Sequence, residues 1–181
     1  MRSLSFYCSK CLAGTLEKVD YEKLECNHCG RNYSIINGIP RIVKLDNYSE
    51  SFGFQWNIHQ KTQLDSYTGL PISKKRVFAA THWNENTNLS GQLILEAGSG
   101  AGRFTEVLVN TSASIYSFDY SSAVDANKRN NGEAENLTLF QGDIFNIPFE
   151  DNTFDHVFCL GVLQHTPDPK TAFQSLVSKV N

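Results

Sequence analysis

The sequence predicts an α/β protein, a doubly wound parallel sheet preceded by a small N-terminal ribbon. Three observations predict it. The stretch from Leu93 to Phe104 reads LILEAGSGAGRF, an apolar run that ends in an acid and passes through three alternating glycines into a helical pattern. From residue 92 onward apolar runs alternate with helical spacings, the pattern of parallel strands joined by crossover helices. Ahead of both, four of the five cysteines fall into two Cys-x2-Cys pairs, Cys8/Cys11 and Cys26/Cys29, with fourteen residues between the pairs.

At 181 residues the chain has room for one full domain and one small one. Forty per cent hydrophobic residues supply a packed core, and a net charge of −3 excludes an overall basic footprint for nucleic acid. No run has membrane-spanning length. The start, MRSLSFYC, lacks an apolar signal region, so the expected location is cytoplasmic, with thiols reduced or metal-bound.

Residues 1–45 form the predicted ribbon. Each Cys-x2-Cys pair sets two thiolates on one tight knuckle, and two knuckles make a tetrahedral four-sulfur site suited to Zn2+. Four thiolates close the shell, so the metal is structural and His28, inside the second knuckle, faces solvent. Leu16–Val19 and Tyr21–Glu25 read as short strands, and Asn37-Gly38 is a hairpin signal. So small a unit builds little core, and metal binding is expected to supply most of its folding free energy.

Residues 46–90 read as connecting helices. Ser73 is placed to cap one that carries Val77, Phe78 and Thr81 inward. Phe54 and Trp56, in the aromatic string SFGFQW, serve either as a cover over a ligand or as simple packing.

Residues 91–181 hold the sheet. Ile94 and Leu95 belong to a buried first strand, and Phe104, Val107 and Leu108 to the inner face of the helix after it. The glycines between them lie on a strand-to-helix turn, where a missing Cβ lets a ligand approach the backbone beside the free N–H groups of a helix start. The spacing is G-x-G-x-G, one residue shorter than the dinucleotide fingerprint, which disfavours a dehydrogenase. Glu96, two places before the first glycine, would repel a phosphate and suit a cation. Ser114–Asp119 is the second strand, and Asp119 at its tip either accepts from ribose hydroxyls or caps the helix that begins near Ser121. Asn131-Gly132 ends that helix in a left-handed conformation. Leu137–Asp143 is the third strand and Phe154–Gly161 the fourth, with Cys159, Leu160 and Gly161 lining its end of the crevice. The last helix, from Lys170 to Val180, turns Phe173, Leu176, Val177 and Val180 inward. The strand order is 3-2-1-4, with the ligand at the switch between the first and second strands.

The string ILEAGSGAGRF resembles motif I of the class I S-adenosylmethionine-dependent methyltransferases, with Ser99 where many relatives carry Cys. The FG-x-QW and TQLDS strings, the Gly142-Asp143 pair and Ile147-Pro148-Phe149 resemble further segments of that family. Residues 1–45 resemble the zinc ribbon fused to many bacterial methyltransferases and the small zinc-ribbon activators of RNA methyltransferases. The resemblance implies a Rossmann-like methyltransferase sheet with S-adenosyl-L-methionine bound by Glu96, Gly98, Ser99, Gly100, Gly102, Asp119, Tyr120, Asp143, Ile144 and Leu160. Asp119 takes the ribose, and Asp143 the adenine amino group, unless it only caps its loop. His165 is the histidine near the expected methyl position, either a general base or a support for its loop.

The implied activity is methyl transfer to an acceptor that the acidic balance points toward being a small molecule. RNA is the alternative acceptor, and a non-catalytic ribbon that recruits RNA or protein is the alternative role. Family domains continue into further strands, whereas this chain stops at Asn181. A fourth strand left as an apolar edge is therefore expected to be covered by further residues or by a second copy in a homodimer.

Overall fold

A computed structural model describes residues 4–43 and 61–181; Phe54, Trp56 and His59 lie outside the described residues. The N-terminal sheet is antiparallel, in the order β1-β2-β3-β4. Its strands are β1 (Leu16–Lys18), β2 (Lys23–Cys26), β3 (Asn32–Ile36) and β4 (Ile39–Pro40). Leu16 faces Cys26 across the first pair and Ile36 faces Ile39 across the last. The Asn37-Gly38 turn has φ of 55° and 73°, positive at both residues as a two-residue hairpin of primed type requires.

The second sheet is wholly parallel, in the order β7-β6-β5-β8. Its strands are β5 (Leu93–Ala97), β6 (Ser114–Asp119), β7 (Leu137–Gln141) and β8 (His156–Phe158). This is the predicted 3-2-1-4. The order reverses between β5 and β8, however, and not between the first and second strands. All five residues of β5 are buried, as expected of a central strand covered on both faces.

The helices are α1 (Asp65–Thr68), α2 (Ile72–Thr81), α3 (Thr105–Leu108), α4 (Ala123–Asn131) and α5 (Pro169–Val177). Three expectations fail here. Ser73 does not cap α2; it lies inside the helix, and the Asp65 carboxylate accepts the Ser73 and Lys74 N–H groups at 2.8 and 2.9 Å instead. Gly132 is not left-handed, with φ of −70°. It is glycine because a Cβ would stand 2.3 Å from the Lys128 carbonyl oxygen. On α5 the buried residues are Ala172 and Leu176, while Phe173 and Val177 are 56% and 52% exposed. The small Ala172 lets the helix approach closely and turns its bulkier flank outward. Helix α3 is also short, since Asn110 and Thr111 turn their side chains onto the Glu106 and Leu108 carbonyls and end it.

The ribbon sits against the β7 edge of the parallel sheet. Arg41 bridges to Gln141 in parallel register, and the Ile42 N–H donates to the Gln141 carbonyl at 2.8 Å. Phe6 lies 5.1 Å from Phe140 and 5.4 Å from Phe149, centroid to centroid. Leu16, Leu24 and Tyr33 of the ribbon thereby join one continuous core with Leu95, Phe118 and Phe140. On the other face of the sheet, Val77 of α2 and Leu108 of α3 pack on Ile94, Ile115 and Phe158. No helix among the described residues is long and apolar enough to cross a membrane.

Candidate functional site

The carboxyl ends of all four parallel strands open into a cavity of about 330 Å³. Its floor is the turn after β5. Gly98 has φ of +78°, and a Cβ there would meet the Val162 side chain at 2.4 Å, so only glycine lets this backbone pass beneath the loop that follows β8. The turn's N–H groups are largely committed within the protein. Gly98 and Ser99 both donate to the Phe118 carbonyl, Gly102 donates to the Ser99 carbonyl, and Gly100 donates to Asp119 Oδ2 at 2.8 Å. A turn so occupied makes a poor phosphate cradle, whatever its glycine content. The Ser99 hydroxyl, by contrast, is buried on the cavity wall without a hydrogen-bond partner among the described residues.

Two carboxylates face this space. Asp119 accepts through Oδ1 from the Ser121 N–H and hydroxyl at 2.8 and 2.6 Å, and the Ser121 hydroxyl accepts from Ala123 N–H at the start of α4. Asp119 therefore stands on the cavity wall but does not cap the helix itself; it holds Ser121, whose hydroxyl meets the first helical N–H. Asp143 accepts from Phe145 N–H at 2.9 Å while lining the cavity. Tyr120, Ile144, Leu160 and His165 line it as well. His165 ends a short 3-10 turn, Leu163–His165, with Nε2 3.3 Å from Gln164 Nε2.

Two expected contacts lie elsewhere. Glu96 is 1% exposed and is not on the wall. Its Oε2 accepts from the Thr105 and Ser117 hydroxyls at 2.6 and 2.7 Å, and Oε1 has no partner among the described residues. Burial pushes its carboxyl up to about 7. Gly102 is likewise behind the wall. With φ of +89°, it leaves room for Asn127 and Asn131, whose amide atoms would stand 2.2 and 2.3 Å from any Cβ. These side chains form one buried polar network. Asn131 donates to Asn127 Oδ1 at 2.8 Å, and Asn127 donates to the Thr105 hydroxyl at 2.8 Å, which in turn donates to Glu96. Glu96 and Gly102 thus set the shape of the turn from beneath it.

Sequence reasoning missed the other side of the cavity, formed by Gln63, Leu64, Arg76, Arg103 and Phe104. Arg103 follows the last glycine and could have been flagged. Arg76 lies on α2 with no motif around it, and only the fold brings it to the mouth.

The second cluster is the ribbon's. All four cysteine sulfurs lie within 4.8 Å of one another. Cys8 and Cys29 are 3.7 Å apart, and Cys11 and Cys26 3.6 Å. A tetrahedron with metal–sulfur bonds of about 2.3 Å has edges of about 3.8 Å, so the donor set fits Zn2+. The His28 and Cys29 N–H groups point at Cys26 Sγ at 3.4 Å, and the Tyr33 hydroxyl lies 3.1 Å from Cys8 Sγ. Such outer contacts hold thiolates in place around a metal.

Residues 95–179 match the family described as Methyltransferase domain. Among curated proteins, the chain is 29% identical over 123 residues to a tRNA U34 carboxymethyltransferase of Nautilia profundicola, covering 61% of this chain and 41% of that one. It is 30% identical over 91 residues to a demethylmenaquinone methyltransferase of Thermobifida fusca, covering 49% and 39%. The chain thus spans about 40% of the length of these relatives. Among solved structures, a chain from a complex that holds the Haloferax volcanii Trm112 methyltransferase activator superposes with a TM-score of 0.60 at 18% identity, over 75% of this chain and 57% of that one. A Methanococcus maripaludis protein assigned to the S-adenosyl-L-methionine-dependent methyltransferases gives 0.56 at 21%, over 71% and 57%. At these identities the likeness is one of fold.

Proposed function

We propose, from the premise that this chain carries a methyltransferase domain over residues 95–179, that it binds S-adenosylmethionine in the strand-end cavity and transfers its methyl group. The observation that carries the reading is the state of the glycine turn. Most of its N–H groups are used internally, the Ser99 hydroxyl is buried within the wall with no partner among the described residues, and two carboxylates share that space. A nucleoside with a sulfonium and an amino-acid head suits such a wall; a pyrophosphate does not. A volume of about 330 Å³ lies at the small end of cofactor sites.

When bound, the cofactor supplies a methyl group already activated for in-line displacement. The chain's own residues then have positioning work to do. Asp119 would accept from the ribose hydroxyls, Asp143 from the adenine amino group, and Ile144 and Leu160 would pack on the rings. Ser99 and the backbone around Gly98 and Gly100 would seat the amino-acid head. His165, on the cavity wall, would take the acceptor's proton as a general base. The rate advantage comes from orientation and near-attack geometry. The four cysteines would hold Zn2+ as a closed structural site that takes no part in transfer.

The net charge of −3 favours a small-molecule acceptor. The tRNA-modifying relative favours RNA as a second reading. Calorimetry of the full chain with S-adenosylhomocysteine tests the cofactor assignment. We expect one site per chain and a raised melting temperature. No heat and no shift would overturn the reading. Metal analysis should return one zinc per chain.

A further inference from the structure

We propose that Arg76 and Arg103 form an anion subsite at the mouth of the cavity, built for a carboxylate or phosphate carried by the methyl acceptor or by the methionine end of the cofactor. The inference rests on reading the cavity as a methyl-transfer site.

Both side chains line the cavity. Both guanidiniums lie over the ring of Phe104, with their central carbons 5.4 Å (Arg76) and 4.7 Å (Arg103) from its centroid. That ring is a fixed platform, buried and packed edge-on against Phe158 at 5.5 Å. Arg103 is held further by Nη1 donating to Gln63 Oε1 at 2.9 Å and Nε to the Ser73 hydroxyl at 3.3 Å. Among the described residues this leaves the rest of its fork unused. Arg76 has no hydrogen bond or ion pair among the described residues, only its seat over the ring.

Two cations have therefore been brought together over one ring, Arg76 exposed and Arg103 partly buried. Asp65, whose carboxylate charge reaches Arg103, offsets the repulsion only in part, and its oxygens are taken by the N–H groups at the start of α2. Burial and the neighbouring Arg76 hold the Arg103 guanidinium below its usual range, while Asp65 opposes them. Left alone, the two like charges repel, and the partly buried Arg103 feels it. An anion between the two forks changes the sign of that interaction, and planar guanidiniums match carboxylate and phosphate oxygens two at a time. The remaining walls sharpen the point. Asp119 and Asp143 sit at the strand tips, so the cavity is acidic along its floor and cationic at this side of its mouth. A ligand with a positive centre over the floor and an anionic group at the mouth is complementary to both.

The test uses the full chain, its Arg76→Gln and Arg103→Gln variants, and Arg103→Lys, which keeps the charge but not the fork. The probes are S-adenosylhomocysteine, 5′-methylthioadenosine, which lacks the amino-acid head, and inorganic phosphate at constant ionic strength. If the cofactor's carboxylate is the anion, each Gln variant weakens S-adenosylhomocysteine about tenfold and leaves 5′-methylthioadenosine unchanged. If the acceptor brings the anion, both nucleosides bind the variants as they bind the parent. Phosphate then raises the melting temperature of the parent and not that of the Gln variants. Either pattern supports the subsite, and Arg103→Lys should fall between parent and Gln in whichever assay responds. Nucleoside binding unchanged together with a phosphate shift equal in parent and variants overturns it. Arg76 is exposed, so its Gln variant should melt with the parent and report binding free of folding defects. If neither nucleoside binds the parent while phosphate binding still depends on the two arginines, the methyl-transfer reading fails and the subsite stands.

Discussion

The two β-sheets of this molecule hold together by opposite means. Strand β5 of the parallel sheet buries every side chain, with strands paired along both its edges and an apolar cluster on each face. Strands β1 and β3 of the ribbon expose side chains at alternate or successive positions and leave few apolar groups inward. Burial alone can order the first. The second needs the sulfur cluster and the core it shares with Phe118 and Phe140. The small sheet is thus tied to the large one through a shared apolar core and a buried charge, while its four cysteines cluster within the ribbon itself.

Loss of the proposed Zn2+ should break the comparison most strongly. Binding of Zn2+ to a four-thiolate site is worth on the order of 10 kcal/mol. Chelation, or Cys26→Ser, should therefore abolish hydrogen-exchange protection in β1–β3 while β5 and β6 stay protected. If ribbon amides keep their protection without metal, packing against the β7 edge suffices, and the contrast between the sheets is smaller than their burial implies.

The buried charge comes next. Arg41 is 3% exposed, and its Nη2 donates to Asp125 Oδ1 at 2.7 Å and to the Ile36 carbonyl, while Nη1 donates to Gln141 Oε1 at 3.1 Å. The Gln141 amide donates in turn to the Tyr120 carbonyl, on the cavity wall. Arg41→Met strips a partner from each acceptor and should cost about 3 kcal/mol in denaturant unfolding. Adding Asp125→Asn should recover part of that loss, because the stranded carboxylate is then neutral. A single-variant cost below about 1 kcal/mol would mean that the shared apolar core alone joins the two sheets.

The same contrast explains what could be read from the sequence. The Cys-x2-Cys pairs, the Asn37-Gly38 hairpin and the glycine turn are local signals, each complete within a few residues, and each stands where expected. The strand order followed from the alternation of runs. Arg41 could not be read, because its partners are 84 and 100 residues away. Arg76 and Arg103 become a pair only once α2 lies over α3. Ser73, Gly132 and the outward flank of α5 failed for a common reason: local propensity named a role that a tertiary neighbour filled or forbade. Asp65 took the cap, the Lys128 carbonyl set the need for glycine, and Ala172 chose the buried face.

Glu96 offers the subtlest test, and a pH-dependent one. The sequence put it in contact with the cofactor; the fold puts it beneath the turn. Its carboxyl is raised from an ordinary 4.5 to about 7, chiefly by burial, against the hydroxyls of Thr105 and Ser117 that favour the charged form. The folded state therefore keeps a proton that the unfolded chain gives up between these values. The associated stability is complete below about pH 4.5, fades as pH rises toward 7 and is gone above it. Glu96→Gln cannot titrate, and its carbonyl can still accept from both hydroxyls. Relative to the parent, the variant should gain no more than about 3 kcal/mol between pH 4.5 and 8, with most of the change below pH 7. Its affinity for S-adenosylhomocysteine should stay within about threefold of the parent, because the side chain does not reach the cavity. A flat stability difference across that range would mean the carboxyl is ionised throughout. A large loss of nucleoside binding at unchanged stability would return Glu96 to the ligand's surface.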